Sequence, residues 1–205
     1  MAWLTAQLSV GQSGRGEGGE DRVAIFASAE RTLLVVADGA GGDGRGGAAA
    51  DAVVALVRER SADGPFDAVA LLRDCDAALA GRAGGESTAV IVSVYERGIA
   101  GASVGDSAAW LIDSAGYADL TERQARKPLV GSGRAQPLGF HADPFVGTLL
   151  LGSDGLFKYA PPSLIRQITT EVAFAAIAQR LVDGVRLRSG ALHDDTGVVL
   201  CRRDR

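Results

Sequence analysis

LLVVADGAGGDGRGG, residues Leu33 to Gly47, is the stretch whose reading decides the fold. It opens with a short unbroken apolar run, the pattern of a strand buried on both faces, and ends on Asp38 before breaking into glycines. The order returns in LLLGSDGL, Leu149 to Leu156. Each segment carries a strand to an Asp-Gly pair and so predicts a carboxylate at a strand end with bare backbone beside it. A single Asp-Gly is ordinarily no more than a turn. Two of them at facing strand ends make a site for divalent cations.

Outward from these segments, Val23–Phe26, Leu33–Ala37, Thr88–Tyr95, Ile99–Val104, Ala109–Ile112, Thr148–Gly152 and Gly197–Cys201 are runs of branched or apolar residues bounded by Gly, Asp or Ser. All seven read as strands. YERGIAG reverses the chain around Arg97 and Gly98, and IDSAGYADL makes a similar reversal, so neighbouring strands are predicted antiparallel. Ala48, Ala49, Ala52, Val53, Leu56 and Val57 repeat at helical spacing, as do Phe66, Val69, Leu72, Cys75 and Leu79. A third helical stretch, in two pieces, runs from Pro162 to Arg188 with Phe174, Ile177, Leu181 and Val185 on its apolar side. Leu120 to Pro144 is polar and punctuated by three prolines, and reads as an irregular segment bordering the site. Strands in groups followed by paired helices predict an α+β layered domain, not a βαβ wind.

The 205 residues, 47% hydrophobic and 22% charged, fit a single globular domain over 1–205. A net charge of −4 provides no footprint for a polyanion, so nucleic acid is not an expected partner. The longest apolar run, Val172 to Ala178, is far short of the ~18 residues that cross a bilayer, and the N-terminus lacks a basic signal region. A cytoplasmic location without membrane association is the expectation. Cys75 and Cys201 have neither metal-site spacing nor a disulfide framework.

Chemistry is concentrated in the acids at strand boundaries: Glu20, Asp21, Asp38, Asp106, Asp154, Asp194 and Asp195. Carboxylates gathered at one end of a layered domain repel one another, and their pKa values rise unless cations neutralise them. Oxygen-only ligation points to Mg or Mn rather than Zn. Gly39 and Gly155 matter in this reading because a residue without Cβ lets a backbone carbonyl turn toward an ion or its water.

The order of the pieces resembles a known family. GGEDRVAIF, VVADGAGG, ESTAVIV, GASVGDSAAWLI, LLLGSDGL and HDDTGVVL, spread over residues 18 to 200, look like the successive motifs of the type 2C metal-dependent protein phosphatases, in the style of a short bacterial member. The resemblance implies a four-layer α-β-β-α sandwich, two packed antiparallel sheets flanked by helices. It implies hydrolysis of phosphoserine and phosphothreonine in proteins by direct attack of a water or hydroxide bridging two Mg or Mn ions. Carried over by position, Asp38 bridges both metals, Gly39 offers its carbonyl to one, and Asp154 and Asp194 complete the ligands. Glu20 and Asp21 hold metal-bound waters, Asp106 supports the site from behind, and Arg15 binds the phosphate. The implied partner is a phosphorylated protein of a bacterial Ser/Thr kinase pathway, and the expected state is a monomer.

Departures from the family pattern shape this expectation. Ala40 stands where some members carry a histidine, Ala108 replaces an arginine after GDS, and Lys158 stands where many place a further carboxylate, which argues against a third metal. Arg15 lies five residues before Glu20, where four is usual. Spacing in HDDTGVVL favours Asp194 as ligand, and a one-residue slip exchanges it for Asp195. The departures also permit a catalytically weak or inactive phosphoprotein-binding pseudophosphatase. GAGGDG, Gly39 to Gly44, formally fits a dinucleotide-binding turn, but the polar RERSADGPF stands where a second parallel strand is needed.

Overall fold

Successive residues of the deciding stretch face opposite ways, as the two-residue period of a strand requires. Leu33, Val35 and Ala37 sit in a core shared with Ala49, Ala50, Val53 and Val57, whereas Leu34 and Val36 sit in one shared with Leu149, Leu151 and Val199. Burial on both faces explains why no polar residue interrupts the run. The computed structural model describes residues 3–12, 19–41, 44–62, 64–81 and 84–204.

One sheet carries, side by side, β2 (Asp21–Ala27), β3 (Thr32–Ala40), β5 (Ala89–Val94), β6 (Ile99–Val104) and β9 (Leu138–Ala142), with the short β4 (Glu86–Ser87) paired to the end of β3. The other runs β1 (Trp3–Val10), β11 (Thr196–Arg203), β10 (Thr148–Gly152), β7 (Ala108–Ile112) and β8 (Tyr117–Asp119). Every pairing of these strands is antiparallel. Helices α1 (Arg45–Glu59) and α2 (Ala68–Leu79) pack on the outside of the first sheet through Val53, Val57, Leu72 and Cys75. On the outside of the second lie α4 (Pro162–Glu171) and α5 (Phe174–Gly184), through Ile165, Ile177 and Leu181. A single turn, α3 (Asp154–Phe157), follows β10. The result is the four-layer α-β-β-α sandwich, and its central core is the alternate set Leu34, Val36, Val90, Val92, Leu149, Leu151, Val199 and Cys201.

All seven predicted strands are present, and both predicted reversals are antiparallel hairpins. The long helical stretch is divided as predicted, α4 ending before Ala173 and α5 beginning at Phe174. Because α1 leads into α2 and then into an antiparallel strand, GAGGDG does not open a parallel crossover. Four strands were not legible, among them the two-residue β4. β1 mixes Thr, Gln and Ser with apolar residues on a partly exposed edge, β8 has only three residues, and β9 carries a glycine and an exposed Leu138. β9 corrects the expectation that Leu120 to Pro144 is irregular throughout: backbone pairing to β6, not side-chain burial, makes it a strand. Both cysteines are buried and unbridged.

Candidate metal centre and active site

Asp38 does not end its strand, as the sequence suggested: β3 runs on to Ala40, where β4 pairs with it. In the β2–β3 ladder Asp38 lies directly opposite Asp21. Its amide donates to Thr88 Oγ1 at 3.2 Å, and its carbonyl accepts from the Thr88 amide at 2.8 Å and from Ser87 Oγ at 3.1 Å. Thr88 Oγ1 in turn shares a 2.6 Å hydrogen bond with Ser107 Oγ, which fastens the GDS turn, and with it Asp106, to the same backbone.

The opposite sheet reaches this point through Ser153, at the end of β10. Its amide donates to the Gly197 carbonyl at 3.0 Å and its Oγ accepts from the Gly197 amide at 2.9 Å; the same hydroxyl lies near enough to Asp21 to lower that carboxyl's pKa. Asp154 follows as the first residue of α3. Asp195 is only 5% exposed. Its Oδ1 accepts from the Gln12 amide at 2.7 Å and its Oδ2 from the Glu20 amide at 2.6 Å, so it ties the exit of β1 and the approach to β2 together. Among the described residues Asp194 accepts only the Asp195 amide, at 3.0 Å.

The acids from the two sheets interact. Burial pushes Asp38 far above the ordinary carboxylate range, and the charges of Asp21 and Asp154, a hydrogen bond shared with Asp21, and Asp106 push it further. Asp21 is raised chiefly by burial; Ser153 opposes the shift and Asp195 adds to it. Burial, Asp106 and Asp194 raise Asp154, while Lys158 and Arg126 pull it down. Asp21 Oδ2 is a buried oxygen with no hydrogen-bond partner among the described residues. Such an atom is costly unless a cation or water meets it.

Both marked glycines are fixed by close approach; neither takes a left-handed backbone. A Cβ on Gly39 runs into the backbone of Gly46 in the first turn of α1, and one on Gly155 runs into the Asp195 carbonyl. Gly155 therefore lets α3 close on the Asp194–Asp195 segment. A cavity of about 890 Å³ opens beside Gly39, walled by Glu20, Ala40, Gly47 and the Arg22–Asp51 ion pair. Arg22 Nε and Nη2 bind Asp51 at 2.6 and 3.2 Å, and Nη1 donates to the Gly19 and Asp21 carbonyls at 2.9 and 3.0 Å.

Of the residues singled out in the sequence, Asp21, Asp38, Asp106, Asp154, Asp194 and Asp195 lie within electrostatic reach of one another. Glu20 joins them through its amide. Arg15 lies outside the described residues. Among the described residues no three His, Cys, Asp or Glu side chains converge closely enough to hold an ion as they stand. The donor chemistry nonetheless suits a hard divalent cation: the acids supply oxygen only, they raise one another's pKa, and one buried oxygen is orphaned. Sequence reasoning passed over Ser153, Thr88 and Ser107, whose roles are set by partners far along the chain. It also passed over Arg126, whose Nε lies 3.2 Å from Asp106 Oδ2. Nothing in TERQARKP distinguishes that arginine from Arg123.

The four-layer sandwich is shared with solved structures of bacterial serine/threonine phosphatases. Stp1 from Staphylococcus aureus superposes with a TM-score of 0.84 over 100% of this chain and 96% of that one, at 20% identity. PstP/Ppp of Mycobacterium tuberculosis gives 0.84 over the whole of both chains at 21% identity. The catalytic domain of PstP in complex with two manganese ions gives 0.81 over 98% of this chain and 97% of that one, at 23% identity. No family model and no curated protein matches the sequence.

Proposed function

We propose that this protein is a metal-dependent phosphatase acting on phosphoserine and phosphothreonine in proteins. The observation that carries the reading is the Asp21–Asp38 pair, Asp21 buried and Asp38 half-buried, lying opposite each other on neighbouring strands and pushed toward the protonated form with Asp154 of the other sheet in electrostatic reach. A carboxylate cluster of this kind is stabilised by divalent cations, and the solved structure of PstP that shares the fold holds two manganese ions.

In this reading Asp38, Asp154 and Asp194 hold the ions with the Gly39 carbonyl, and Glu20, Asp21 and Asp106 hold their waters. Asp195 is a positioning residue, because both its oxygens are engaged by backbone amides; Asp194 is then the ligand of the pair. Two divalent cations bound there supply hydroxide at neutral pH and stabilise the phosphoryl oxygens. The chain's own contribution is alignment. Thr88 and Ser87 fix the Asp38 backbone, and Asp195 holds the Glu20 amide. With Ala40 beside Gly39, no side chain at that position donates a proton to the departing seryl oxygen.

Manganese-dependent release of phosphate from a phosphoserine peptide is the test. Asp38→Asn is expected to lower it by about 10³-fold or more and to weaken manganese binding measured by calorimetry. Near-native turnover and affinity in that variant would overturn the site assignment. Tight peptide binding without release at saturating manganese would instead indicate a phosphoprotein-binding module.

A further inference from the structure

Arg126 belongs to the excursion between β8 and β9, and that excursion is firmly mounted. Val130 exchanges both backbone hydrogen bonds with Ser87, each at 3.0 Å. The Asp76 carboxylate accepts from the amides of Gly131 at 2.8 Å, Gly133 at 2.9 Å and Ala135 at 3.0 Å. On this base the Arg126 side chain is 76% exposed, and only its Nε is engaged, by Asp106. Its two Nη atoms make no hydrogen bond among the described residues. A planar guanidinium held by one edge presents the other nitrogens as a fork, the geometry that accepts a carboxylate or phosphate with two hydrogen bonds. Lys158 adds a second exposed cation, its Nζ 5.3 Å from the centre of the Tyr159 ring, which itself stacks on His193 at 4.4 Å. Both cations pull the Asp154 pKa down, and both are exposed on the solvent side of the acidic cluster. Arg22, the cation nearer Asp21, is committed instead to Asp51 and to the Gly19 and Asp21 carbonyls.

Resting on the phosphatase reading above, we infer that Arg126 reads the substrate: its free fork takes an acidic side chain, or a second phosphate, flanking the phosphoserine. The scissile phosphoryl group belongs deeper, beside Asp21 and Asp38. Lys158 adds attraction without geometry, since an ammonium is a point charge.

Two phosphoserine peptides that differ only in Asp against Asn on both sides of the phosphoserine test this. For the wild type, kcat/KM is expected to favour the acidic peptide by about three- to tenfold, mostly through KM. Arg126→Ala brings the ratio close to one, and Arg126→Lys keeps part of it. A wild-type ratio of one, or an undiminished ratio in Arg126→Ala, overturns the proposal. So does an equal loss on both peptides and on a small aryl phosphate, which would place Arg126 on the scissile group. If the wild type hydrolyses none of these substrates, the phosphatase reading fails. Fluorescence anisotropy of the two labelled peptides then judges Arg126 separately: preferential binding of the acidic one, lost in Arg126→Ala, sustains it, and equal binding sinks it.

Discussion

Asp21 and Asp38 lie opposite each other on neighbouring strands, Asp21 buried and Asp38 half-buried, and Asp21 raises the tendency of Asp38 to keep its proton. In the unfolded chain both acids titrate near 4. The folded, metal-free protein therefore holds more protons than the unfolded one from about pH 4 upward, until Asp38 ionises at about 9. Where the native state binds the extra proton, stability falls as pH rises. The pair's contribution is thus complete below the unfolded value and is lost progressively through neutrality. Urea denaturation in chelator at pH 5 and pH 9 should show it, with Asp38→Asn flattening the slope relative to the wild type. A slope of the opposite sign, or one unchanged by the substitution, would mean that the two acids do not share a proton. Metal binding near neutral pH should release protons for the same reason, a heat that depends on the buffer's ionisation enthalpy in calorimetry.

At the scale of elements, the helix and loop contacts around the site make sharper demands than their sequences reveal. Asp76 sits near the end of α2, where its position suggests an ordinary helix residue, yet it is buried and binds three amides of the segment before β9. Asp76→Ala strands those amides and is expected to cost about 3 kcal/mol. Chemical denaturation measures the loss, and hydrogen exchange should accelerate at Gly131, Gly133 and Ala135 ahead of the sheets. Gly39 and Gly46 meet backbone to backbone where β3 passes α1. Gly46→Ala should therefore cost about 1–3 kcal/mol by forcing the two apart, although alanine is the better helix former. An increase in stability would show that the contact is slack. These contacts also mark what could be read in advance. Strands with both faces buried announce themselves as unbroken apolar runs, so β3, β5, β10 and β11 were legible. Edge strands β1 and β9 take their backbone partners from strands 196–203 and 99–104, and no local pattern encodes that. Likewise Asp38 and Asp154 stood out because an aspartate follows each apolar run. Spacing already favoured Asp194 as the ligand, but the engagement of Asp195 by the amides of Gln12 and Glu20, residues more than 170 positions away, was not legible locally.

For the whole molecule, the decisive fact is that the acids come from different layers. Asp21 and Asp38 belong to one sheet, while Asp154, Asp194 and Asp195 follow or precede strands of the other. The sheets are joined across a core of Leu34, Val36, Leu149, Leu151 and Val199, with Ser153 lowering the pKa of Asp21 at its edge. Without cations, repulsion among the acids works against that core at one end of the sandwich; in the proposed reading, cations turn the same acids into a clamp. Manganese should therefore stabilise the fold itself. Mass action gives about 4 kcal/mol at a free ion concentration of 1,000 times Kd, visible as a Tm that climbs with each decade of manganese. Asp154→Asn should remove most of that dependence while raising the Tm in chelator, because it deletes one charge of the repelling set without disturbing the apolar core. Leu151→Ala provides the contrast: about 2–5 kcal/mol lost from the inter-sheet core, with the manganese dependence retained. Should the Tm of the wild type ignore manganese, or should Asp154→Asn retain the full response, the acids of the two sheets are not joined through a common ion, and the sandwich is held by its core alone.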